Sequence, residues 1–461
     1  MIRLADKSVL VLGLGETGLS LARFLHAQGA RVRAADSREQ PPALAEVRSQ
    51  LPQVEIFCGA FGDQILSGID LIAISPGVAL HEPFVQRAVA RGIPVMGDIE
   101  LFAQALPQKN CQQNRPRIIA ITGSNGKTTV TGMVGSLCRA AGLDTAVAGN
   151  ISPAVLDALL QRGGQQPEVW VLELSSFQLE TISSLNADAA TVLNVSEDHL
   201  DRYADMEAYT AAKARIFSGD GVQVLNRDDA RSMSMALPGR RQLTFGLNDP
   251  HSPNDWGIVR EGDDTWLVQG QQRILNSKEL QVTGLHNVAN ALAALALCRA
   301  IGLPLAPLLD ALRAFKGLPH RVERVAEING VIYYDDSKGT NVGATVAALQ
   351  GLGRRAVLIA GGDGKGQDFS PLGPVAASHA RAVVLIGRDA EKISAALQGC
   401  GVAVVRAHDM ADAVRLSAAL AQPGDAVLLS PACASFDMFR NYAHRAEVFV
   451  GAVHELQGET I

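Results

Sequence analysis

The stretch ITGSNGKTTV, residues 121–130, carries the plainest chemistry in the chain. Gly123 and Gly126 allow backbone N–H groups to close on phosphate oxygens. Lys127 supplies a cation to β and γ phosphates, and Thr128, followed by Thr129, a hydroxyl to Mg²⁺. The pattern is T-G-x-x-G-K-T-T, a shortened relative of G-x-x-x-x-G-K-[ST], whose first glycine would fall on Ile121. An apolar run precedes it and a helical pattern follows. That context favours a nucleotide loop over a glycine turn with a solvated lysine. A second turn, GLGETG at 13–18, follows the apolar run SVLVL, and Asp36 ends the next such run. Taken alone, it reads as a dinucleotide-binding G-x-G-x-x-G turn.

Other polar groups sit at the ends of apolar runs. Glu173 lies inside VWVLELSS, where a carboxylate is costly unless paired or bound to a cation. Beside the phosphate loop it is a natural Mg²⁺ ligand; on an edge strand it would face water. NVSEDHLDRY, 194–203, gathers Glu197, Asp198, His199 and Asp201. These suit a metal or a substrate, with His199 the strongest candidate. They equally suit a helix start with Ser196 as cap and acids in the first turn. Asn150 in GNISPA stands at a strand end or in a simple turn. Lys213 in AYTAAKARIF reads from its residues as a solvated helix lysine. GLPHRVE, 317–323, suits a hinge in which Arg321 reaches a phosphate and His320 lies beside it. YYDDSKGTN (333–341), GGDGKGQDFS (361–370) and LLSPACASFDMF (428–439) are each compatible with a solvent loop. Together they suggest an anion site in which Lys338 and Lys365 share a carboxylate or phosphate.

Such groups need parallel strands that end together. Apolar runs alternate with helical patterns throughout, giving an α/β chain. Three domains are expected: 1–97, 98–317 and 318–461. RQLTFG, DWGIVR, DTWLVQG and QRILN, between 240 and 283, look like a small antiparallel annex to the central one. PQKNCQQNRPR, 107–117, reads as a polar linker. The bulk properties agree: 461 residues, 47% hydrophobic, 19% charged and a net charge of −6. No basic block points to nucleic acid, and no apolar run is long enough to span a bilayer. The six cysteines (58, 111, 138, 298, 400 and 433) are scattered, which fits a reducing cytoplasm and no cysteine-based zinc site.

In order and spacing, these motifs resemble the Mur ligases, the ATP-dependent amino-acid ligases of bacterial cell-wall synthesis. SPGVAL, GDIELF, TGSNGKTT, ELSSFQLE, EDHLDRY, GLPHRVE, DDSKGTN, GGDGKG and SPACASFDMF carry the likeness. ELSSFQLE, DSKGTN and SPACASFDMF point to the branch that adds D-glutamate to UDP-N-acetylmuramoyl-L-alanine. The resemblance implies a Rossmann-like N-terminal domain, a P-loop-type central ATPase domain with a mostly parallel sheet, and a Rossmann-like C-terminal domain. It implies ATP and two Mg²⁺ ions, with Gly123, Ser124, Asn125, Gly126, Lys127, Thr128 and Thr129 around the phosphates. Thr128, Glu173 and His199 fall at metal positions. Lys213 matches a lysine that the family carbamylates with CO₂ to make a further metal ligand. Asn287, Arg321 and Asp336 fall on the adenosine side, and Asn150 and His320 near the substrates. Lys338, Thr340, Lys365, Ser435, Phe436 and Tyr442 fall around D-glutamate, although the family usually shows Leu or Phe at the last two. The glycine turn then takes the UDP pyrophosphate rather than a dinucleotide, through Gly15, Glu16 and Thr17. Asp36, Ser37, Arg38, Ser75, Pro76 and Gly77 line the uridine side. The reaction implied is amide formation through an acyl phosphate, by a cytoplasmic monomer. An NAD-dependent oxidoreductase would leave the Lys127 loop and the C-terminal loops unused. Another acceptor, as in folylpolyglutamate synthesis, fits SPACASFDMF and DDSKGTN less well, and a non-catalytic nucleotide-binding regulator leaves the Mg²⁺ and phosphate groups without a purpose.

Overall fold

The computed structural model describes residues 3–107, 115–199, 202–282 and 284–459. Most of the linker expected over 107–117, with Cys111, lies outside the described residues, as does Asp201.

Strands β1 (Ser8–Leu12), β2 (Arg31–Asp36), β3 (Glu55–Cys58), β4 (Leu71–Ile74) and β5 (Val95–Gly97) form the first sheet, in the order β3-β2-β1-β4-β5. All are parallel. β1 reads VLVL with every one of these side chains buried, as a strand covered on both faces requires. The strand order reverses between β1 and β4, so a crevice opens at their carboxyl ends. The turn after β1 packs so closely that a Cβ at Gly18 would stand 1.8 Å from the Gly13 carbonyl oxygen.

The central sheet contains β6 (Arg117–Thr122), β7 (Thr145–Gly149), β8 (Val169–Glu173), β9 (Ala189–Val192), β10 (Val222–Asn226), β11 (Gln242–Phe245), β12 (Trp256–Glu261), β13 (Asp264–Gln269) and β14 (Gln272–Asn276). Its order is β14-β13-β12-β11-β10-β9-β6-β8-β7. β6 therefore lies between β8 and β9, which brings three strand ends together. The antiparallel part is β12 to β14, and it continues the same sheet. β11, grouped with the annex from sequence, instead runs parallel to β10 and meets β12 in parallel at Phe245 and Trp256. Helices Lys127–Ala140 and Leu285–Ala300 cover one face of this sheet, sharing its apolar cluster.

The third sheet has β15 (Glu323–Ile328), β16 (Val331–Asp335), β17 (Ala356–Gly361), β18 (Ala380–Ile386), β19 (Ala403–Arg406) and β20 (Ala426–Leu429), ordered β15-β16-β20-β17-β18-β19. Only β15 is antiparallel, to β16. Sequence reading misses it because ERVAEI is mostly charged or small and only Ile328 is buried, as suits an edge.

The first two units are stitched together by an apolar cluster that runs from Val9 and Phe24 through Phe102 to Trp170 and Leu156. Glu100 accepts from the backbone N–H and hydroxyl of both Ser183 and Ser184, at 2.7–3.0 Å. Gln178 donates to Asp98 at 2.9 Å, and Arg202 to the Pro76 and Val78 carbonyls. Much of GDIELF and ELSSFQLE is thus an interdomain seam. The third unit is joined differently. Its buried apolar clusters contain no central-domain residue among the described residues. Among these residues no helix is long and apolar enough to cross a membrane.

Candidate functional site

The carboxyl ends of β6, β8 and β9 converge in register, with Ile121 beside Glu173 and Thr122 beside Val192. The loop after β6 therefore meets Glu173 and the segment 194–199. Gly126 begins the Lys127 helix at φ +82°, a conformation that a side chain resists. Across from it stand the ends of β16, β20 and β17, neighbours in the third sheet. Between them lies a cavity of about 530 Å³. Its walls include Ser124 to Thr129, Asn150, Glu173, Asp198, His199, Asn287, Arg321, Asp336, Lys338, Thr340, Lys365 and Tyr442. Sequence candidates from widely separated stretches thus share one chamber.

Its charges are poised for an anion. Lys127 Nζ donates to the Gly123 and Ser124 carbonyls of its own loop, at 2.7 and 2.8 Å. Burial lowers its pKa from the ordinary lysine value, while Glu173 and Asp198 oppose that shift. Arg321 donates to Thr128 Oγ1 at 2.7 Å and is likewise lowered by burial. Lys365 Nζ is 3.9 Å from Asp198 across the two domains. Asp336 is pushed up to about 7 by burial, against the hydrogen bond from Ser430 and the charge of Arg321. Lys338 Nζ lies 3.2 Å from the Tyr442 hydroxyl.

Glu173 meets the test for a cation ligand. Its Oε1 accepts from Asn150 Nδ2 at 3.0 Å, while Oε2 is buried with no hydrogen-bond partner among the described residues. An orphaned buried carboxylate oxygen facing a phosphate loop is chemically suited to Mg²⁺. His199 sits at φ +57° with its ring edge-on to Phe177, centroids 4.7 Å apart. Burial lowers its pKa, with Lys365, Lys127 and Lys213 adding to the shift and Asp198 opposing it. A neutral imidazole is the form that binds a metal. The helix start considered at Ser196 is absent. Residues 193–196 are irregular, and the next helix begins at Met206, capped by Asp205.

Lys213 is not solvated. It is 1% exposed, behind the phosphate loop, donating to the Gly123 carbonyl at 3.0 Å and standing 4.5 Å from the Tyr209 ring centroid. Burial and then Lys127 drive its pKa well below the ordinary value. Besides Gly123 and Glu197, three further candidates lie outside the cavity wall. His320 pairs with buried Asp335 at 2.7 Å, and its backbone N–H donates to Glu323. Ser435 is buried, and the Phe436 side chain is 75% exposed.

A second cavity of about 360 Å³ occupies the crevice of the first sheet. It is lined by Gly15, Glu16, Thr17, Asp36, Ser37, Arg38, Ser75, Pro76 and Gly77. Asp36 does not present a free carboxylate there. Oδ2 accepts from the Leu14 N–H at 2.7 Å, and both oxygens accept from Arg38. Burial raises its pKa, but these hydrogen bonds prevail and hold it at about 2. Asp36 therefore braces the glycine turn, which weakens a dinucleotide reading that needs this acid for a ribose diol.

Sequence reasoning passed over two contacts that join the domains at this site. Asn341 Nδ2 donates to Asn125 Oδ1 at 3.0 Å, and the His286 ring packs so closely on the end of helix Val342–Gly351 that a Cβ on Gly351 would stand 2.7 Å from its Nδ1. Asn341 closes the DDSKGTN motif, but nothing in that pattern tells which residue it meets, and His286 was not singled out. Asn341 reads as an ordinary helix cap, a role it also fills toward Ala344.

Comparison with known proteins agrees with this architecture. Residues 7–97 match the Mur ligase MurD-like N-terminal domain, 121–298 the Mur ligase middle domain and 320–433 the Mur ligase glutamate ligase domain. A relative named UDP-N-acetylmuramoylalanine–D-glutamate ligase, from Nitrosospira multiformis, is 61% identical over 99% of this chain and 97% of its own. One of the same name from Thiobacillus denitrificans is 59% identical, over 99% and 98%. Among solved structures, UDP-N-acetylmuramate-alanine ligase MurC from Thermotoga maritima superposes with a TM-score of 0.61 at 19% identity, over 97% of this chain and 99% of that one. A pseudomurein peptide ligase type C from Methanothermus fervidus gives 0.61 at 16%, over 98% and 100%. At such identities these two speak for the fold alone.

Proposed function

The chain belongs to the Mur ligase family, and we propose that it joins D-glutamate to UDP-N-acetylmuramoyl-L-alanine, with ATP converted to ADP and phosphate. It is an amide-bond-forming ligase of peptidoglycan precursor synthesis. The observation that carries the residue-level reading is the single cavity joining the Lys127 loop and Glu173 to Lys338, Thr340 and Lys365.

The UDP pyrophosphate would lie on the turn at 13–18, at the N-terminus of helix Glu16–Ala27, with Asp36, Ser37, Arg38 and residues 75–77 around the uridine. The alanyl carboxylate would extend to Asn150 in the central cavity. A carboxylate is a poor acyl donor because its leaving group is oxide. One of its oxygens attacks the γ-phosphorus of ATP and the bond to the ADP oxygen breaks, leaving an acyl phosphate. Lys127 and the N–H groups of 123–129 hold the transferring charge in place, and Arg321 joins them from the hinge side. Asn287 and Asp336 flank the adenosine. The deprotonated amine of D-glutamate, its carboxylates held by Lys338 and Lys365 with the Thr340 hydroxyl, attacks the acyl carbon. The tetrahedral adduct then breaks its bond to the phosphate oxygen, and the proton lost from its nitrogen leaves with the phosphate. Tyr442 borders this subsite through its hydroxyl on Lys338, while Ser435, Phe436 and His320, paired with Asp335, would act from outside the cavity wall.

Two Mg²⁺ ions, held by Thr128, Glu173 and His199, would neutralise phosphate charge and polarise the γ-phosphoryl. Lys213 fits carbamylation. A buried amine held neutral is the nucleophilic form, and it adds to CO₂ with loss of a proton to give an anion beside the phosphate loop. The reading extends to a monomer working in the cytoplasm. An isotope experiment tests the pathway. Substrate labelled with ¹⁸O in the alanyl carboxylate is expected to pass one label to each phosphate released. Unlabelled phosphate would rule out the acyl phosphate.

A further inference from the structure

Resting on the ligase reading, we propose that helix Val342–Gly351 is the closing wall of the nucleotide cavity, and that contacts at its two ends latch the C-terminal domain onto the central one. One face of this helix, Gly343, Ala344, Ala347 and Ala348, lines the chamber opposite the phosphate loop.

Both ends are pinned, and both depend on the lack of a side chain. At the start, Asn341 Nδ2 donates to Asn125 Oδ1 at 3.0 Å, while Asn341 Oδ1 caps the helix through the Ala344 N–H. A Cβ on Gly343 would come within 3.1 Å of Asn125 Nδ2 and 3.2 Å of Ser196 Oγ. At the far end the His286 ring of the central domain lies between two glycines. A Cβ on Gly351 would stand 2.7 Å from His286 Nδ1, and one on Gly284 2.7 Å from Cε1. The ring thus fills the gap beside the last turn, its Nδ1 buried with no hydrogen-bond partner among the described residues. Beyond Leu318, which lies against Gly132 of the Lys127 helix, the contacts named across the seam are polar, Arg321 to Thr128 and Lys365 to Asp198, and no buried apolar cluster crosses it among the described residues. A polar seam with little buried apolar area is one that can open. Asn125 belongs to the phosphate loop itself. The latch therefore couples the loop's conformation to the position of Lys338, Thr340 and Lys365, which follow the movements of this domain.

These are positioning residues, so their removal should act on closure. Three variants test this: Gly351→Ala, which crowds His286; His286→Ala with Gly351→Ala, in which the new methyl enters the space the ring leaves; and Asn341→Asp, which keeps the cap acceptor but loses the donor to Asn125. Gly351→Ala and Asn341→Asp should raise KM for ATP and for D-glutamate together, by roughly three- to tenfold. Affinity for the UDP substrate, bound in the N-terminal crevice, should stay unchanged. Small-angle scattering should show the wild type contracting with a non-hydrolysable ATP analogue and D-glutamate, and both variants contracting less. The double variant should recover part of the loss seen with Gly351→Ala. If Gly351→Ala proves too unstable to purify, Asn341→Asp decides alone. Unchanged KM values and full contraction in the variants would overturn the latch, while D-glutamate turnover in the wild type left the ligase reading intact. Absence of that turnover in the wild type would instead remove the ligase reading.

Discussion

At the scale of single residues, Lys127 and Lys213 show how position changes the chemistry of one side chain. Both reach the same carbonyl, that of Gly123, yet half-buried Lys127 lines the cavity and fully buried Lys213 lies behind the loop. Replacing Lys127 with Ala should lower kcat by on the order of 10²- to 10³-fold, the usual loss for one group stabilising developing charge, with the melting temperature little altered. Phosphate release reads the first effect and thermal unfolding the second. Lys213→Ala should cripple turnover, and added short carboxylic acids should partly restore it, since they can return a carboxylate to the vacated space. Near-normal activity without additive would refute the carbamate role. The phosphate loop was legible from residue types alone, because its glycines, lysine and threonine have few alternative uses. Lys213 was not. AYTAAKARIF carries no sign that its lysine is covered, and only the packed structure shows that the helix turns it inward.

Among the elements, the strands were the most legible, since parallel strands buried on both faces are continuous apolar runs. What the pattern concealed was neighbourhood. No local feature tells that β6 lies between β8 and β9, or that β11 pairs in parallel, because both depend on pairings distant in sequence. Edge strand β15 was hidden by its charge. GDIELF, quoted only for the family likeness, turns out to place its carboxylates in a seam. Asp98 is fully buried, its Oδ1 unpaired among the described residues, and burial pushes its pKa up to about 6 against the Gln178 hydrogen bond. Its folded-state proton is held more tightly than in the unfolded chain. Stability from this group is therefore complete below about pH 4 and is lost as pH rises through about 6, a change of up to about 3 kcal/mol. Asp98→Asn should flatten that part of the stability profile in denaturant titrations at stepped pH, and an unchanged slope would contradict the assignment. The turn before the Lys127 helix gives a sharper test. Gly126→Ala forces a side chain into φ +82° and sets a Cβ 2.7 Å from Asn290 Oδ1. ATP affinity should fall by about tenfold or more, with UDP-substrate binding preserved, as calorimetry can show.

Over the whole molecule, the asymmetry of the two seams organises the function. The N-terminal and central units share an apolar cluster and several buried polar contacts, so the crevice of the first sheet and the phosphate loop are held together. The C-terminal unit meets them through a few polar contacts, and it carries the lysines that would bring the amino acid to the acyl phosphate. Positioning of three substrates then becomes one closure, and a near-attack arrangement supplies much of the rate. Protease cleavage within 317–323, the segment that suits a hinge, should slow when ATP analogue and D-glutamate are both present, and change little with the UDP substrate alone. Equal protection by the UDP substrate would speak against the fixed and mobile seams. The central claim is that this chamber couples ATP cleavage to amide formation with one amino acid. The direct measurement is phosphate release from ATP with UDP-N-acetylmuramoyl-L-alanine and a panel of amino acids. Release that depends on D-glutamate, with a product heavier by one glutamyl residue, is the expected result. Release indifferent to D-glutamate, or supported only by another amino acid, would contradict it.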